Sequence, residues 1–80
     1  MKMNGVIKWF KKEKGYGYII GSDNESYFFN ITNCVNIKEL FNAGDKVTFI
    51  PEFGEIDYAT EVEKVDSYEW WYIKYIFIFT

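Results

Sequence analysis

Lys14-Gly15-Tyr16-Gly17-Tyr18-Ile19 is the stretch on which the reading of this chain turns. Tyr16 and Tyr18 stand two apart, so on a β-strand both rings fall on one face and Ile19 falls on the other. Glycine inside a strand weakens it, so two of them imply something that compensates. Here they are expected to leave the tyrosine face uncluttered and to let a ligand approach the backbone. A turn-forming Gly21-Ser22-Asp23-Asn24-Glu25 follows, rich in the residues that turns favour. It leads into a second alternating run, Tyr27-Phe28-Phe29-Asn30-Ile31. The two runs are predicted to be antiparallel neighbours. If Ile19 points inward, Tyr16 and Tyr18 point outward beside Phe28. Aromatic rings in a small β-protein are often core, and it is the glycine-aromatic alternation that turns the reading toward an exposed patch. Bases have π-faces that stack on such rings, which makes single-stranded nucleic acid a chemically suitable occupant.

Working outward, turn signals cut the chain into short strands. The first is predicted over residues 5–11, the second over 16–20 and the third over 26–31. Residues 32–44 lack a period-2 run, and a helical turn is expected around 37–41, ended by Asn42 and Gly44. The fourth strand is predicted over 45–50, alternating Val47 and Phe49 with Lys46 and Thr48, and Pro51 is expected to stop it. Residues 51–58 read as a loop and 59–65 as the fifth strand, with Val62 in the core. Five short strands at close spacing predict an all-β, closed or nearly closed barrel.

Length and composition agree. Eighty residues form one small domain that buries only about 60–65% of its unfolded surface, with no room for a cleft between domains. Aromatic residues make up 22% of the chain, and they favour strands over helices. The net charge of −3 argues against a polyanionic partner until its distribution is considered. Lys2, Lys8, Lys11, Lys12 and Lys14 cluster near the start with Glu13 alone against them. Residues 52–69 hold Glu52, Glu55, Asp57, Glu61, Glu63, Asp66 and Glu69 against Lys64. A local basic patch can steer a polyanion to an acidic molecule. Cys34 is a lone thiol and the chain has no His. That excludes an internal disulfide, a thiolate cluster and His-based catalysis, and it suggests a reducing, cytoplasmic setting. Residues 1–4 lead straight into Val6-Ile7 without the apolar core of a signal peptide.

The tail departs from this pattern. Residues 70–79, from Trp70 to Phe79, are apolar or aromatic except for Lys74. Ten residues fall short of the roughly 20 that a membrane helix needs. As a strand the segment is apolar on both faces, so it is expected to be buried, paired or aggregation-prone. The division expected is a barrel domain at 1–66 and an apolar tail at 67–80.

Lys8-Trp9-Phe10, the Lys14 to Ile19 stretch and the Tyr27 to Ile31 run, in that order and at that spacing, resemble the cold shock domain. The latter two are similar to its RNP1-like and RNP2-like motifs. The resemblance covers about residues 4–65. It implies a five-stranded antiparallel Greek-key OB-type barrel, here with an extra aromatic C-terminal segment that could add a strand. It implies binding of single-stranded RNA or DNA, and an RNA-chaperone or regulatory role. By position, Trp9, Tyr16, Tyr18 and Phe28 would be stacking rings, with Phe10 bordering the patch. Lys8 and Lys14 would contact backbone or base edges, and Ser26 stands where the family usually has an acid that bonds a base. Asn30 replaces the family's stacking His and Ile31 its following Phe. The aromatic of the family's long loop has no counterpart among Val35, Asn36 and Ile37. Glu52, Glu55 and Asp57 would repel phosphate. A shorter footprint and weaker affinity than in a typical member are therefore expected. Strict alternation cannot put Lys8, Trp9 and Phe10 on one face, so a bulge in the first strand is predicted.

Two other functional classes compete with nucleic-acid binding. A protein-interaction module would use Trp70 to Phe79 as an assembly strand, giving a homodimer; contact of that tail with a membrane interface is a variant. An enzyme is disfavoured by scattered loop carboxylates, the lack of His and a Cys34 without a basic partner. No cofactor, metal or small-molecule substrate is expected, and Cys34 reads as a small apolar residue at the barrel edge.

Overall fold

The structure, a computed structural model, describes residues 1–65. The expected boundary at 66/67, the tail and its strand or dimer contact lie outside those residues. Five strands form: β1 (Met3–Lys11), β2 (Tyr16–Gly21), β3 (Ser26–Asn30), β4 (Lys46–Glu52) and β5 (Tyr58–Lys64). They close into a barrel in the order β1-β2-β3-β5-β4. β1, β2 and β3 form a meander, β4 pairs with the far side of β1, and β5 returns beside β3. That return is the Greek-key step, and it makes β3–β5 a parallel contact while the other pairings are antiparallel. Closure leaves little exposed sheet edge, which suits so small a core.

The pleat sorts the side chains. Ile7, Ile19, Tyr27, Phe29, Val47, Phe49, Ala59 and Val62 are buried inside the barrel. Tyr27 and Phe29 thus stand in the core, where Tyr27 meets Phe49 with ring centroids 5.0 Å apart. The Tyr27 hydroxyl donates to the Asp23 carboxylate in the β2–β3 turn. That bond, then desolvation, pushes the Tyr27 phenol up to about 12, and the same bond lowers Asp23.

Three expectations are corrected. Residues 37–41 form no helix; a 3₁₀ turn lies earlier, at Ile31–Asn33. Asn36 explains the difference, because its side-chain oxygen accepts from the Lys38 N–H at 3.0 Å, offering the backbone an alternative to a helical turn. Ile37 and Leu40 are exposed, so a helix there would have no apolar face to bury, and a short helix without packing is unstable. Phe41 instead plugs the barrel end, 5.5 Å from both Phe10 and Phe29. The second correction is Pro51, which lies within β4 opposite Ala59. β1 begins at Met3 opposite Phe49, so β4 runs on past the start of its β1 partner and becomes an edge there, where proline is tolerated.

The third correction concerns Gly17. It is buried on the inner face, not on the tyrosine face. A Cβ there would overlap the Trp9 carbonyl oxygen and crowd the Phe29 ring. Its service is to let β1 approach β2 closely. Gly15 acts differently. Its φ of +70° closes the β1–β2 turn, a conformation that favours glycine, and its N–H donates to the Lys11 carbonyl at 2.8 Å.

Candidate nucleic-acid interface

The first strand carries the bulge that the sequence requires. Ile7 pairs with Ile19, Trp9 pairs with Tyr18, and the register shifts between them. Lys8 is the extra residue. Because two β1 steps match one β2 step, Ile7 points into the core while Trp9 points out beside Tyr18. Without the shift, Ile7 and Trp9 would share a face. Phe10 then falls opposite Gly17 and turns inward. Its ring stacks on Phe29 at 5.7 Å with 14° between planes. Expected at the border of the patch, Phe10 is partly buried and packs against Phe29 and Phe41.

Cross-strand register arranges the outer face in rows. Lys11, Tyr16 and Asn30 form one row across β1, β2 and β3; Trp9, Tyr18 and Phe28 form the next; Val6, Ile20 and Ser26 the third. The four rings make a continuous cluster. Trp9 lies 5.8 Å from Tyr16 and 5.4 Å from Tyr18. Phe28 lies 5.7 Å from Tyr16 and 5.6 Å from Tyr18. All four are half-buried, touching one another at their edges with part of each ring facing solvent. Tilted and edge contacts of this kind each contribute about 0.5–1.5 kcal/mol beyond burial. They hold the rings in place before any ligand arrives.

Charge borders this cluster on one side. Lys8 at the bulge and Lys11, Lys12 and Lys14 in and beside the β1–β2 turn are exposed. The Lys11 ammonium sits 5.7 Å from the Trp9 ring centroid, a cation–π geometry. Ser26 is exposed one row beyond Phe28, opposite Ile20. Asn30 lies opposite Tyr16 and caps the 3₁₀ turn, its side-chain oxygen accepting from the Thr32 N–H and hydroxyl, each at 3.1 Å. Its carbonyl is therefore committed to the fold.

Two residues outside the sequence-predicted set join this face. Lys11 stands two residues after Trp9, so alternation alone could have placed it there. Tyr58 is exposed at the start of β5, directly opposite Phe28 across the parallel contact. Local sequence offered no signal for it, because β3–β5 pairing arises only on closure. Cys34 is buried beside Val62. Burial, then the nearby Glu39, pushes its thiol up to about 11, so it is a poor nucleophile.

Comparison with known proteins agrees with this geometry. The family model of the 'Cold-shock' DNA-binding domain matches residues 3–65. Cold shock protein 1 of Lactiplantibacillus plantarum is 43% identical over 51 residues, covering 61% of this chain and 76% of that relative. Cold shock-like protein CspB of Escherichia coli K12 is 41% identical over 56 residues, 66% of this chain and 78% of that relative. The matched span takes in all five strands and every ring of the outer cluster, and on these grounds the chain belongs to the cold-shock domain family.

Proposed function

We propose that this protein binds single-stranded RNA or DNA by stacking bases on Trp9, Tyr16, Tyr18 and Phe28, with phosphates held by Lys8, Lys11, Lys12 and Lys14. One observation carries the reading: four rings, each touching two of the others, lie on the outside of a barrel whose core is already filled by other aromatics. A contiguous apolar patch of this kind on a small protein marks a binding surface. Each stacked base contributes roughly 1–3 kcal/mol and every base has a π-face, so affinity tolerates sequence. Such tolerance suits a chaperone that melts weak RNA structure by holding the single strand, or a regulator of transcription or translation. A cytoplasmic setting belongs to the same reading. Among the described residues no helix is long and apolar enough to cross a membrane.

Titration with oligo-dT or oligo-U, followed by tryptophan emission, tests it. The expected result is quenching that Trp9→Phe abolishes, with an affinity that falls as salt rises. Four lysine contacts correspond to a log–log salt slope of about −3 on a single strand. An emission that does not change at low salt would remove the proposal. The assembly reading of Trp70 to Phe79 rests on its apolar sequence. It predicts a dimer mass in size-exclusion with light scattering and a monomer when residues 67–80 are removed.

A further inference from the structure

The row that holds Trp9, Tyr18 and Phe28 does not end at Phe28. Phe28 is the parallel partner of Tyr58, and Tyr58 is the antiparallel partner of Glu52. The Phe28 N–H donates to the Asp57 carbonyl at 3.0 Å, which locks the junction. Ala59 and Pro51, the adjacent pair, are buried. By the pleat, Tyr58 and Glu52 therefore point outward, on the same side as Phe28. Tyr58 is 40% exposed. One row thus crosses all five strands in the order indole, phenol, phenyl, phenol, carboxylate. Directly paired residues on antiparallel strands have Cβ atoms about 5 Å apart, so Glu52 stands beside Tyr58 across the β4–β5 pair.

This end of the row differs chemically from the other. The Trp9 end is surrounded by lysines. The Tyr58 end holds Glu52, its β4 partner, and follows the β4–β5 connection, which carries Glu55 and Asp57. A carboxylate accepts hydrogen bonds and donates none. It repels phosphate, and it rewards a base edge that carries adjacent N–H donors. Guanine offers two such donors side by side, its ring N–H and its exocyclic amino group. Thymine and uracil offer one, flanked by carbonyl oxygens that the carboxylate would oppose. The phosphate repulsion also favours a nucleotide at a strand end, where the backbone continues in one direction only.

We propose that Tyr58 and Glu52 form a terminal-base site selective for guanine, with Tyr58 stacking the base and Glu52 accepting from its Watson–Crick edge. The site extends the platform of the preceding section and rests on that reading.

The test compares dT6 with hexamers carrying a single dG at the 5′ or the 3′ end, by anisotropy of a labelled strand against the full-length protein. The expected result is tighter binding of one dG-ended strand, by about fivefold or more, the size of one added base contact. Tyr58→Ala is expected to remove that gain and Tyr58→Phe to keep it. Glu52→Gln is expected to abolish the difference between the dG-ended strand and dT6, by losing the guanine acceptor and easing the repulsion that dT6 meets. Both side chains point to solvent, and the Tyr58→Phe control shows whether the position tolerates change. If wild type binds dT6 and both dG-ended strands equally, the terminal site is wrong and the platform stands. The same holds if the gain survives Tyr58→Ala. If wild type binds none of the strands, the platform fails and this site fails with it.

Discussion

The inner and outer faces of this barrel carry the same residue types to opposite ends. Inside, Phe10, Tyr27, Phe29, Phe41 and Phe49 form the core. Outside, Trp9, Tyr16, Tyr18, Phe28 and Tyr58 keep ring surface in water. Phe28 and Phe29 are neighbours in sequence and identical in chemistry, yet one is a candidate ligand contact and the other is fully buried. Composition therefore says nothing about which ring binds. Register decides it, and in β1 register depends on the bulge at Lys8.

Exchanging matched residues across the two faces should break the comparison most sharply. Phe29→Ala is expected to cost about 3–5 kcal/mol of stability, the usual price of an emptied aromatic core site. Phe28→Ala is expected to cost less in the same urea titration, about 1–3 kcal/mol, because it loses its contacts with Tyr16 and Tyr18 at about 0.5–1.5 kcal/mol each but empties no core site, while weakening oligonucleotide binding. Similar stability losses at the two positions would mean that the faces are not distinct. Next in size, Gly17→Ala forces a methyl into the β1–β2 approach. It should destabilise by about 1–3 kcal/mol, as overpacking does, and a neutral result in thermal melting would mean that β1 and β2 are not held so close.

On the outer face, Tyr18→Ala should reduce affinity for an oligo-U by about 5- to 100-fold, corresponding to one lost base stack of roughly 1–3 kcal/mol. Tyr18→Phe should bind nearly as well. The smallest effect concerns Tyr27, whose ring is inside while its hydroxyl reaches the turn. Its pKa is raised to about 12 in the folded state, first by the Asp23 hydrogen bond. In the unfolded chain the phenol ionises near its ordinary value of about 10. The bond's contribution is thus present below about pH 10 and is lost as pH rises from there through about 12. Tyr27→Phe should flatten the stability–pH curve over that window, read by urea midpoints.

Much of this arrangement is legible in the sequence. Alternation in β2 and β3 put Tyr16, Tyr18 and Phe28 together, and the apparent conflict among Lys8, Trp9 and Phe10 required a bulge. What escaped depends on contacts distant in sequence. Phe41 enters the core from a loop with no period of its own. Pro51 is tolerated because β1 happens to begin opposite Phe49. Gly17 looked like a gap in the platform, but its reason lies behind it, in the Trp9 carbonyl and Phe29. Tyr58 joins the outer row only through the parallel β3–β5 contact, which no local pattern encodes.

Aromatic side-chain NMR of the protein with and without a hexanucleotide tests the central claim most directly. Ring protons of Trp9, Tyr16, Tyr18 and Phe28 are predicted to shift strongly on binding, while those of Tyr27, Phe29 and Phe49 barely move. Shifts centred on any other surface, or none at saturating oligonucleotide and low salt, would contradict the assignment of the outer rings as the base platform.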